Sequence, residues 1–206
     1  MTGPIGEVLL WCGASGAALF VLVFLIDGST RPGYSPARHP VSALALGPRG
    51  WIQTANFLVC GVSVAAGAVV AGGILDSILL GAAVCVFGVA LIFSGIFPMD
   101  PMRAYPPGTP DETPSVTSRV NAAHDSAGVV VFAVIPVAAL IAVFVPAAGG
   151  LRWYSLAVAV ATLVGFFAFA AAWEKDRPYA GSVQRLTIAT GWSWVSAIFL
   201  HAATFA

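Results

Sequence analysis

Long apolar stretches separated by shorter polar segments dominate this chain. Six apolar windows follow one another, and a bilayer core about 30 Å thick needs roughly 20 residues of helix at 1.5 Å rise each. Lipid excludes unpaired backbone groups and no ten-residue alternation suggests a β-barrel, so these windows predict helices. The predicted spans are 6–27, 51–73, 75–97, 120–146, 152–173 and 183–205. The predicted fold class is therefore all-α, a six-helix transmembrane bundle forming one domain over residues 1–206.

The connections between these spans alternate between long and short. The segments 28–50, 98–119 and 174–182 are long and polar, whereas Gly72-Gly73 and the stretch 146–151 are tight turns. With six spans, the long connections share one side of the membrane and the two termini share the other. Eight of the nine basic residues fall on the long-loop side, and only Arg152 falls opposite. The positive-inside rule therefore predicts cytoplasmic long loops and both termini on the extracytoplasmic side.

Composition points to an integral membrane protein and excludes several other classes. Hydrophobic residues make up 59% of the 206 residues and charged residues 9%, whereas about a quarter of a soluble domain is charged. Nine basic and nine acidic residues balance, so no basic field favours nucleic acid. Cys12, Cys60 and Cys85 each lie in an apolar run, which fits neither a disulfide framework nor metal-ligand spacing. The first window lacks a basic start and is long, so it predicts a spanning helix and not a cleaved signal.

Three local features complete the predicted architecture. The apolar segment 41–46 covers only about 9 Å even as a helix, so it lies in the membrane interface or re-enters the bundle. Glycines recur in the second and third spans, including Gly61, Gly67, Gly81 and Gly88, and small residues let helices approach closely in lipid. Aromatic residues near the predicted span ends are interpreted as interfacial anchors. These anchors are Trp51, Trp153, Trp173 and Tyr179.

Most of the polar groups that are costly in a bilayer lie near the predicted cytoplasmic face. Gln53 and Asn56 share one face of the second span, and Asp100 follows the proline that ends the third. The first loop contributes His39 and Ser42. Ionisable groups just inside a membrane are expensive and typically mark a functional site. The location of these residues near the cytoplasmic face therefore predicts a functional pocket.

The fourth and sixth spans add to this cluster. Asn121 and Asp125 share a helix face at four-residue spacing, with His124 about 100° round the axis. Arg185 opens the sixth span and Trp192 follows two turns later. Each of these groups also has a structural alternative to a functional role. Asp100 would cap a helix, Asp125 would pair with Arg119 or Arg185, and His124 would bond to a backbone carbonyl. Arg119 and Arg185 are equally compatible with contacts to lipid headgroups.

Familiar catalytic signatures are absent from the sequence. There is no Gly-x-Ser-x-Gly, Walker, His-Glu-x-x-His or dinucleotide-binding motif. Ser42 lies three residues from His39, but no third group at this spacing orients them, so nucleophilic catalysis is unsupported. His201 lies sixteen residues after Arg185, about 24 Å along one helix, and cannot readily join His39 and His124 in a zinc site. No metal and no cofactor are predicted.

Four motifs spread along the chain resemble those of a known bacterial family. They read Val41-Ser42-Ala-Leu-Ala-Leu-Gly47-Pro-x-Gly50-Trp51-x-Gln53-x-x-Asn56-Phe57, Gly95-Ile-Phe97-Pro98-Met-Asp100-Pro101, His124-Asp125 and Gln184-Arg185-x5-Gly191-Trp192-x-Trp194. Together they resemble the membrane-protein family called domain of unknown function 998. The resemblance covers nearly the whole chain and implies a compact six-helix bundle. It implies no family-wide activity.

The leading functional hypothesis is a membrane-embedded enzyme that uses acid–base chemistry on a lipid-like substrate in a cytoplasm-facing pocket. Carboxyl groups and a histidine beside apolar walls suit proton transfer, because desolvation keeps a carboxyl group protonated. Asp100 and Asp125 are the candidate acids, His124 the partner base, and Arg185 a contact to a headgroup or diphosphate. The predicted substrate-binding residues are Arg185, Asn56, Gln53, Trp192, Trp194, Phe97, His39 and Ser42.

A sharper version is proton-initiated cyclisation or isomerisation of an isoprenoid. It needs an acid and aromatic faces that stabilise cationic character, which Trp192, Trp194, Phe97 and Phe57 supply. One alternative is a lipid hydrolase with a metal-bound water held by His39 and His124. Another is a carrier, channel or assembly partner whose polar cluster only locks the helix ends. The predicted location is the bacterial cytoplasmic membrane, and the predicted partners are membrane lipid and a lipophilic small molecule.

Overall fold

A computed structural model describes residues 3–206, and these residues form an all-α bundle of six long helices. Each predicted span corresponds to one helix, and no helix end differs from its prediction by more than three residues. All six helices are long and apolar enough to cross a membrane. The helices are α1 (Pro4–Ser29), α2 (Gly50–Ile74), α3 (Ile78–Ile96), α4 (Arg119–Phe144), α5 (Arg152–Glu174) and α6 (Ala180–Ala203).

The helices form a closed ring in chain order. Each packs against the helix before it and the helix after it, and α6 packs against α1 to close the ring. Helices α2 and α6 also touch across the centre. The centre is aromatic: the Trp192 ring stacks on Phe20 at 5.3 Å between centroids and meets Phe87 edge-on at 4.8 Å. Such aromatic pairs contribute about 0.5–1.5 kcal/mol beyond the area they bury.

Apolar side chains cover the outside of the ring as well as its inside. Val69, Leu79 and Leu186 are 71%, 65% and 70% exposed, although each lies within or at the start of a long apolar helix. A soluble protein rarely leaves contiguous apolar faces in water, whereas lipid solvates them. The chain is therefore a multi-pass membrane protein.

Glycines bring α2 and α3 into backbone contact, as the recurrence of small residues predicts. A methyl group added at Gly88 would lie 2.7 Å from the Gly61 oxygen and 2.7 Å from the Ala65 nitrogen. Near the other end of the pair, a Cβ at Gly72 would lie 2.9 Å from the Gly81 Cα. These approaches leave no room for a side chain, so this side of the ring is tightly closed.

Gly88→Ala is expected to destabilise the bundle although alanine is the better helix former. Its methyl group would press on the backbone of α2, and overpacking of this kind costs about 1–3 kcal/mol. Gly73→Ala is the matched control because no atom lies within 4 Å of the added methyl group. Thermal unfolding in detergent micelles should show a lower Tm for Gly88→Ala and an unchanged or higher Tm for Gly73→Ala. Equal Tm values would contradict the close packing.

The first long loop folds back onto the end of the bundle. Its segment Val41–Ala45 forms a 3₁₀ helix in which Val41, Ala43 and Leu44 are buried. The segment therefore re-enters the bundle, which is one of the two positions predicted for it. Six hydrogen bonds from one buried guanidinium hold the loop: Arg31 donates twice to Asp27, once each to the Leu44, Leu46 and Arg49 carbonyls, and once to the Tyr105 hydroxyl.

The second and third long connections complete the cap over the same end. Arg103 donates to the Trp173 carbonyl at 2.7 Å, and its guanidinium carbon lies 3.5 Å from the Trp173 ring centroid. Arg38 pairs with Asp111 at 2.7 Å and with Asp176 at 3.3 Å. The three long connections are thus bound to one another, and they enclose this end of the ring.

The orientation of the bundle in the membrane remains a prediction, and cysteine labelling tests it. Gly149 and Lys175 are both exposed and lie at opposite ends of the ring. In intact cells, a membrane-impermeant maleimide should label Gly149→Cys and should reach Lys175→Cys only after permeabilisation. The unsubstituted chain, with Cys12, Cys60 and Cys85, gives the background. The reverse pattern would place the long loops outside.

Candidate active site

Two adjoining pockets open at the capped end of the ring. The inner pocket has a volume of about 40 Å³ and lies at the centre, between α1, α2, α3, α4, α6 and the 3₁₀ helix. The outer pocket has a volume of about 260 Å³ and lies between α4 and α5 beneath the first loop. A single water needs about 10–15 Å³, so the inner pocket has room only for a small chemical group or a few waters.

The outer pocket leads from the polar cap toward the apolar surface of the bundle. Aromatic side chains of α4 and α5 form its wall, namely Phe132, Phe166, Phe169 and Trp173. Asp125, Val129 and Glu174 line it and are exposed. Val129 lies ten residues from the start of α4, about 15 Å along the helix. The pocket therefore combines a charged rim with an apolar side that faces the bilayer.

Three polar residues line both pockets and mark the junction between them: Ser42, His124 and Gln184. Gly128 and Phe132 are the other two shared residues. Ser42 comes from the 3₁₀ helix, His124 from α4 and Gln184 from α6. Residues far apart in the chain thus meet where the small inner pocket joins the larger outer pocket.

His124 is held in one orientation. Its Nδ1 lies 2.7 Å from the Phe97 oxygen, and a carbonyl only accepts, so Nδ1 carries the proton and donates. This is the backbone hydrogen bond considered for His124 from the sequence. In the neutral ring Nε2 then has a free lone pair, and no residue in 3–206 bonds to it. The buried imidazole is positioned to accept a proton from the pocket.

Gln184 connects the pocket to the first loop. Its Oε1 accepts from the Val41 backbone N–H at 2.7 Å, which fixes the amide orientation because only the oxygen of a glutamine accepts. The Nε2 group then points away from that bond, and no acceptor for it lies in the described residues. Gln184 is 5% exposed, so it offers N–H donors at a nearly enclosed position.

The loop that carries Ser42 is anchored on both sides of the preceding proline. Arg185 donates to the Pro36, His39 and Gly181 carbonyls and to the Tyr34 hydroxyl. Tyr34 donates in turn to the Pro40 oxygen at 3.0 Å. Burial raises the pKa of Tyr34 to about 12, so its phenol keeps the proton it donates. Arg185 therefore anchors the first loop. The contact with a lipid headgroup or diphosphate stays a prediction.

Asp100 and Asp125 belong to one hydrogen-bonded chain at the start of α4. The Asp100 carboxylate accepts from the Ser118 N–H and hydroxyl, both at 2.7 Å. Its own N–H donates to Asn121, and Asn121 donates to Asp125 at 2.8 Å. Asp125 lines the outer pocket, whereas Asp100 lines neither pocket. The hydroxyl of Ser118 caps α4 by accepting from the Asn121 N–H, so Asp100 holds the cap residue and is not itself the cap. Neither acid forms an ion pair with Arg119 or Arg185 among the described residues.

Other predicted binding residues lie away from the pockets. Asn56 donates to the Phe20 carbonyl at 3.0 Å and to Gln53 at 3.3 Å, so this pair joins α1 to α2. Trp194 donates to Ser155 at 2.9 Å between α5 and α6. None of these side chains lines either pocket, nor does that of Phe97, whose carbonyl holds His124. Trp192, by contrast, lines the inner pocket.

His39 is also outside the pockets, and both of its ring nitrogens are engaged. Its Nδ1 accepts from the Ser35 N–H at 3.0 Å, and its Nε2 donates to the Arg103 oxygen at 2.9 Å. Neither nitrogen is left for a zinc ion shared with His124. Among residues 3–206, no group of three or more His, Cys, Asp and Glu side chains lies close enough to hold a metal.

Several pocket residues were not predicted from the sequence. Gln184 was noted only as part of a family motif, although a glutamine inside an apolar span is itself a signal. Trp173 was predicted only as an interfacial anchor, and the structure adds a contact with Arg103 and a place in the lining of the outer pocket. The pocket positions of Phe132, Phe166 and Phe169 could not be predicted from the sequence. In an apolar helix, a phenylalanine that faces a pocket has the same sequence pattern as one that faces lipid.

The six-helix ring and its capped pockets define a polytopic helical membrane protein with a semi-enclosed site at one end. The family model described as Protein of unknown function (DUF998) matches residues 14–201. The chain therefore belongs to this family, as its four motifs predicted. Comparisons with curated proteins and with solved structures found no match to this chain.

The anchored loop should be sensitive to acid through His39. Burial lowers the pKa of His39, with the cations of Arg38 and Arg185 adding to the effect. Below pH about 6.5 the unfolded chain takes up a proton that the folded chain binds only at lower pH. We expect the free energy of unfolding to fall as pH decreases from about 6.5. His39→Gln should remove part of this pH dependence, because the glutamine amide does not titrate but still donates to the Arg103 carbonyl. Tm measured from pH 8 to pH 5 checks this, and parallel curves for the two proteins would contradict it.

Proposed function

We propose that this protein is a membrane-embedded enzyme that performs acid–base chemistry on the polar end of a lipid-like substrate. The observation that carries the proposal is the setting of His124. Its Nδ1–H is fixed on the Phe97 carbonyl at 2.7 Å, its Nε2 has no bond to residues 3–206, and the residue lines both pockets. A base that is held by an orienting group beside a pocket, with its lone pair unengaged, is the arrangement that proton transfer requires.

The shape and polarity of the pockets favour an amphiphilic substrate. Polar donors converge at the junction, whereas the outer pocket is walled by phenylalanines and is bordered by an exposed valine of α4. A lipid that enters between α4 and α5 would place its headgroup at His124 and leave its chain against the aromatic wall. The route needs no passage through water, because the apolar side of the pocket faces the bilayer.

Headgroup chemistry is better supported than cyclisation of an isoprenoid chain. The volume beside Trp192 is about 40 Å³, which is too small for a folded isoprenoid, and the Asp100 carboxylate is engaged by Ser118 before α4. The aromatic faces with space beside them are instead Phe132, Phe166 and Phe169 in the outer pocket. Asp125 at the rim of that pocket supplies a carboxylate adjacent to His124 in the chain.

His124→Asn separates the catalytic role of His124 from its structural role. The asparagine amide can donate to Phe97 from nearly the position of Nδ1, but it has no group in place of Nε2. Folding and lipid binding should persist while turnover falls about 10²–10⁴-fold, the usual contribution of a general acid–base residue. The readout is mass spectrometry of lipids extracted from purified protein before and after incubation with membrane lipid.

His201→Gln is the matched control because His201 also bonds to a backbone carbonyl, that of Ala147 at 2.8 Å, through its Nε2 and at the opposite end of the bundle, and a glutamine amide can donate from nearly the same position. It should bind and convert lipid like the unsubstituted protein. Conversion by His124→Asn at the native rate would reject the enzymatic proposal. Lipid binding without conversion in every variant would favour a carrier or an assembly partner.

A further inference from the structure

We propose that Ser42 is a nucleophile that attacks the ester carbonyl of an acyl lipid, with His124 as its base and the Gln184 side-chain amide as donor to the oxyanion. This inference rests on the proposed function and names its substrate class. The observation behind it is that the three polar residues shared by the two pockets are a hydroxyl, an oriented imidazole and a primary amide.

The Ser42 hydroxyl is unengaged in a region where most hydroxyls are bonded. Other hydroxyls near it, such as those of Ser94 and Thr187, donate to the carbonyl one turn earlier. No hydrogen bond of Ser42 Oγ occurs within residues 3–206, although the residue is only partly exposed and borders both pockets. A polar group kept free at an enclosed position is available to a ligand.

The backbone around Ser42 is fixed, so its side chain has a defined position. Val41 is bonded to Gln184, and the Pro40 and His39 carbonyls accept from Tyr34 and Arg185. The bond from Val41 also determines where the Gln184 N–H donors point. The loop anchor and the oxyanion donor are therefore set by the same contact, which gives the preorganisation that oxyanion stabilisation needs.

Ser42, His124, Gln184 and one water molecule account for every bond and proton in the proposed reaction. Ser42 Oγ forms a bond to the carbonyl carbon while its proton passes to His124 Nε2, and the carbonyl electrons move to the oxygen facing Gln184. The tetrahedral intermediate collapses, the C–O bond to the alcohol breaks, and the alcohol takes the proton from His124. Water then attacks the acyl-serine with His124 as base, which releases a fatty acid and restores Ser42. No metal and no redox partner is required.

The outer pocket matches the acyl part of such a substrate. Phe132 lines both pockets, and Phe166 and Phe169 continue the apolar wall from it. A carbonyl at the junction would leave its alkyl chain along this wall and its alcohol group toward the rim, near Asp125 and Glu174. Both of these acidic side chains are exposed, so a neutral or cationic alcohol group fits this rim better than an anionic one.

A dodecyl fluorophosphonate tests the proposal directly, because phosphorylation of an activated serine forms an O–P bond as fluoride leaves. Intact-mass and peptide analysis should find one adduct, on Ser42, in the unsubstituted protein and none in Ser42→Ala. His124→Asn should be labelled at least 10²-fold more slowly, since its base is gone. Ser126→Ala is the matched control: Ser126 lies two residues after His124 on α4, its hydroxyl donates to Ala122, and it lines neither pocket.

The same variants keep this inference separate from the proposed function. Lipid conversion lost in His124→Asn but retained in Ser42→Ala would overturn the nucleophile and leave the acid–base enzyme standing. Loss in both, together with an acyl adduct trapped on Ser42 at low pH, would support the nucleophile. Absence of any Ser42 adduct from a protein that converts lipid would also overturn it. Conversion unaffected in both variants would reject both proposals.

Discussion

The buried guanidinium of Arg31 is the contact on which the capped end of the bundle depends. Lipid offers no partner to an unpaired backbone group, so a loop that enters the helix bundle must find its partners inside the protein. Arg31 supplies them to three carbonyls of the first loop while Asp27 balances its charge. Removing one partner of a buried ion pair typically costs about 3–5 kcal/mol. The 3₁₀ helix and Ser42 keep their positions because this contact holds the loop.

The helices pack more closely on one side of the ring than on the other, and this difference determines where the pockets lie. On the α2–α3 side, Gly61 faces Gly88 and Gly72 faces Gly81, so the backbones touch and no space remains. The α4–α5 side has aromatic residues instead, with Phe132 and Phe166 stacked at 6.2 Å between ring centroids. Flat rings of this size cannot fill the space between two helices as closely as backbone contact does. Because the ring is closed tightly on one side and loosely on the other, its larger pocket lies on the loose side.

The helices were readable from the sequence because the length and apolarity of a span are set by the bilayer, independently of tertiary packing. The site was only partly readable. Polar residues near the membrane face look alike in the sequence but have different roles: His124 and Asp125 line a pocket, Arg185 anchors a loop, and Asp100 holds the residue that caps α4. The sequence cannot separate these roles, because the choice depends on which carbonyls and N–H groups the loops bring within reach.

In the proposed mechanism, two groups near His124 would share the work that one carboxylate does in a serine hydrolase triad. There, a buried aspartate both orients the imidazole and balances the positive charge that it gains. Here the Phe97 carbonyl orients the ring but carries no full charge. The neighbouring Asp125 carboxylate lines the same outer pocket and is the anionic group adjacent to His124 in the chain. Asn121 bonds to both Asp100 and Asp125 at the start of α4, so the hydrogen bonds around the helix cap also hold the carboxylate beside His124. In the proposed mechanism the two acids predicted from the sequence would therefore act at different distances from the reaction: Asp125 on the charge of the base, and Asp100 on the position of Asp125.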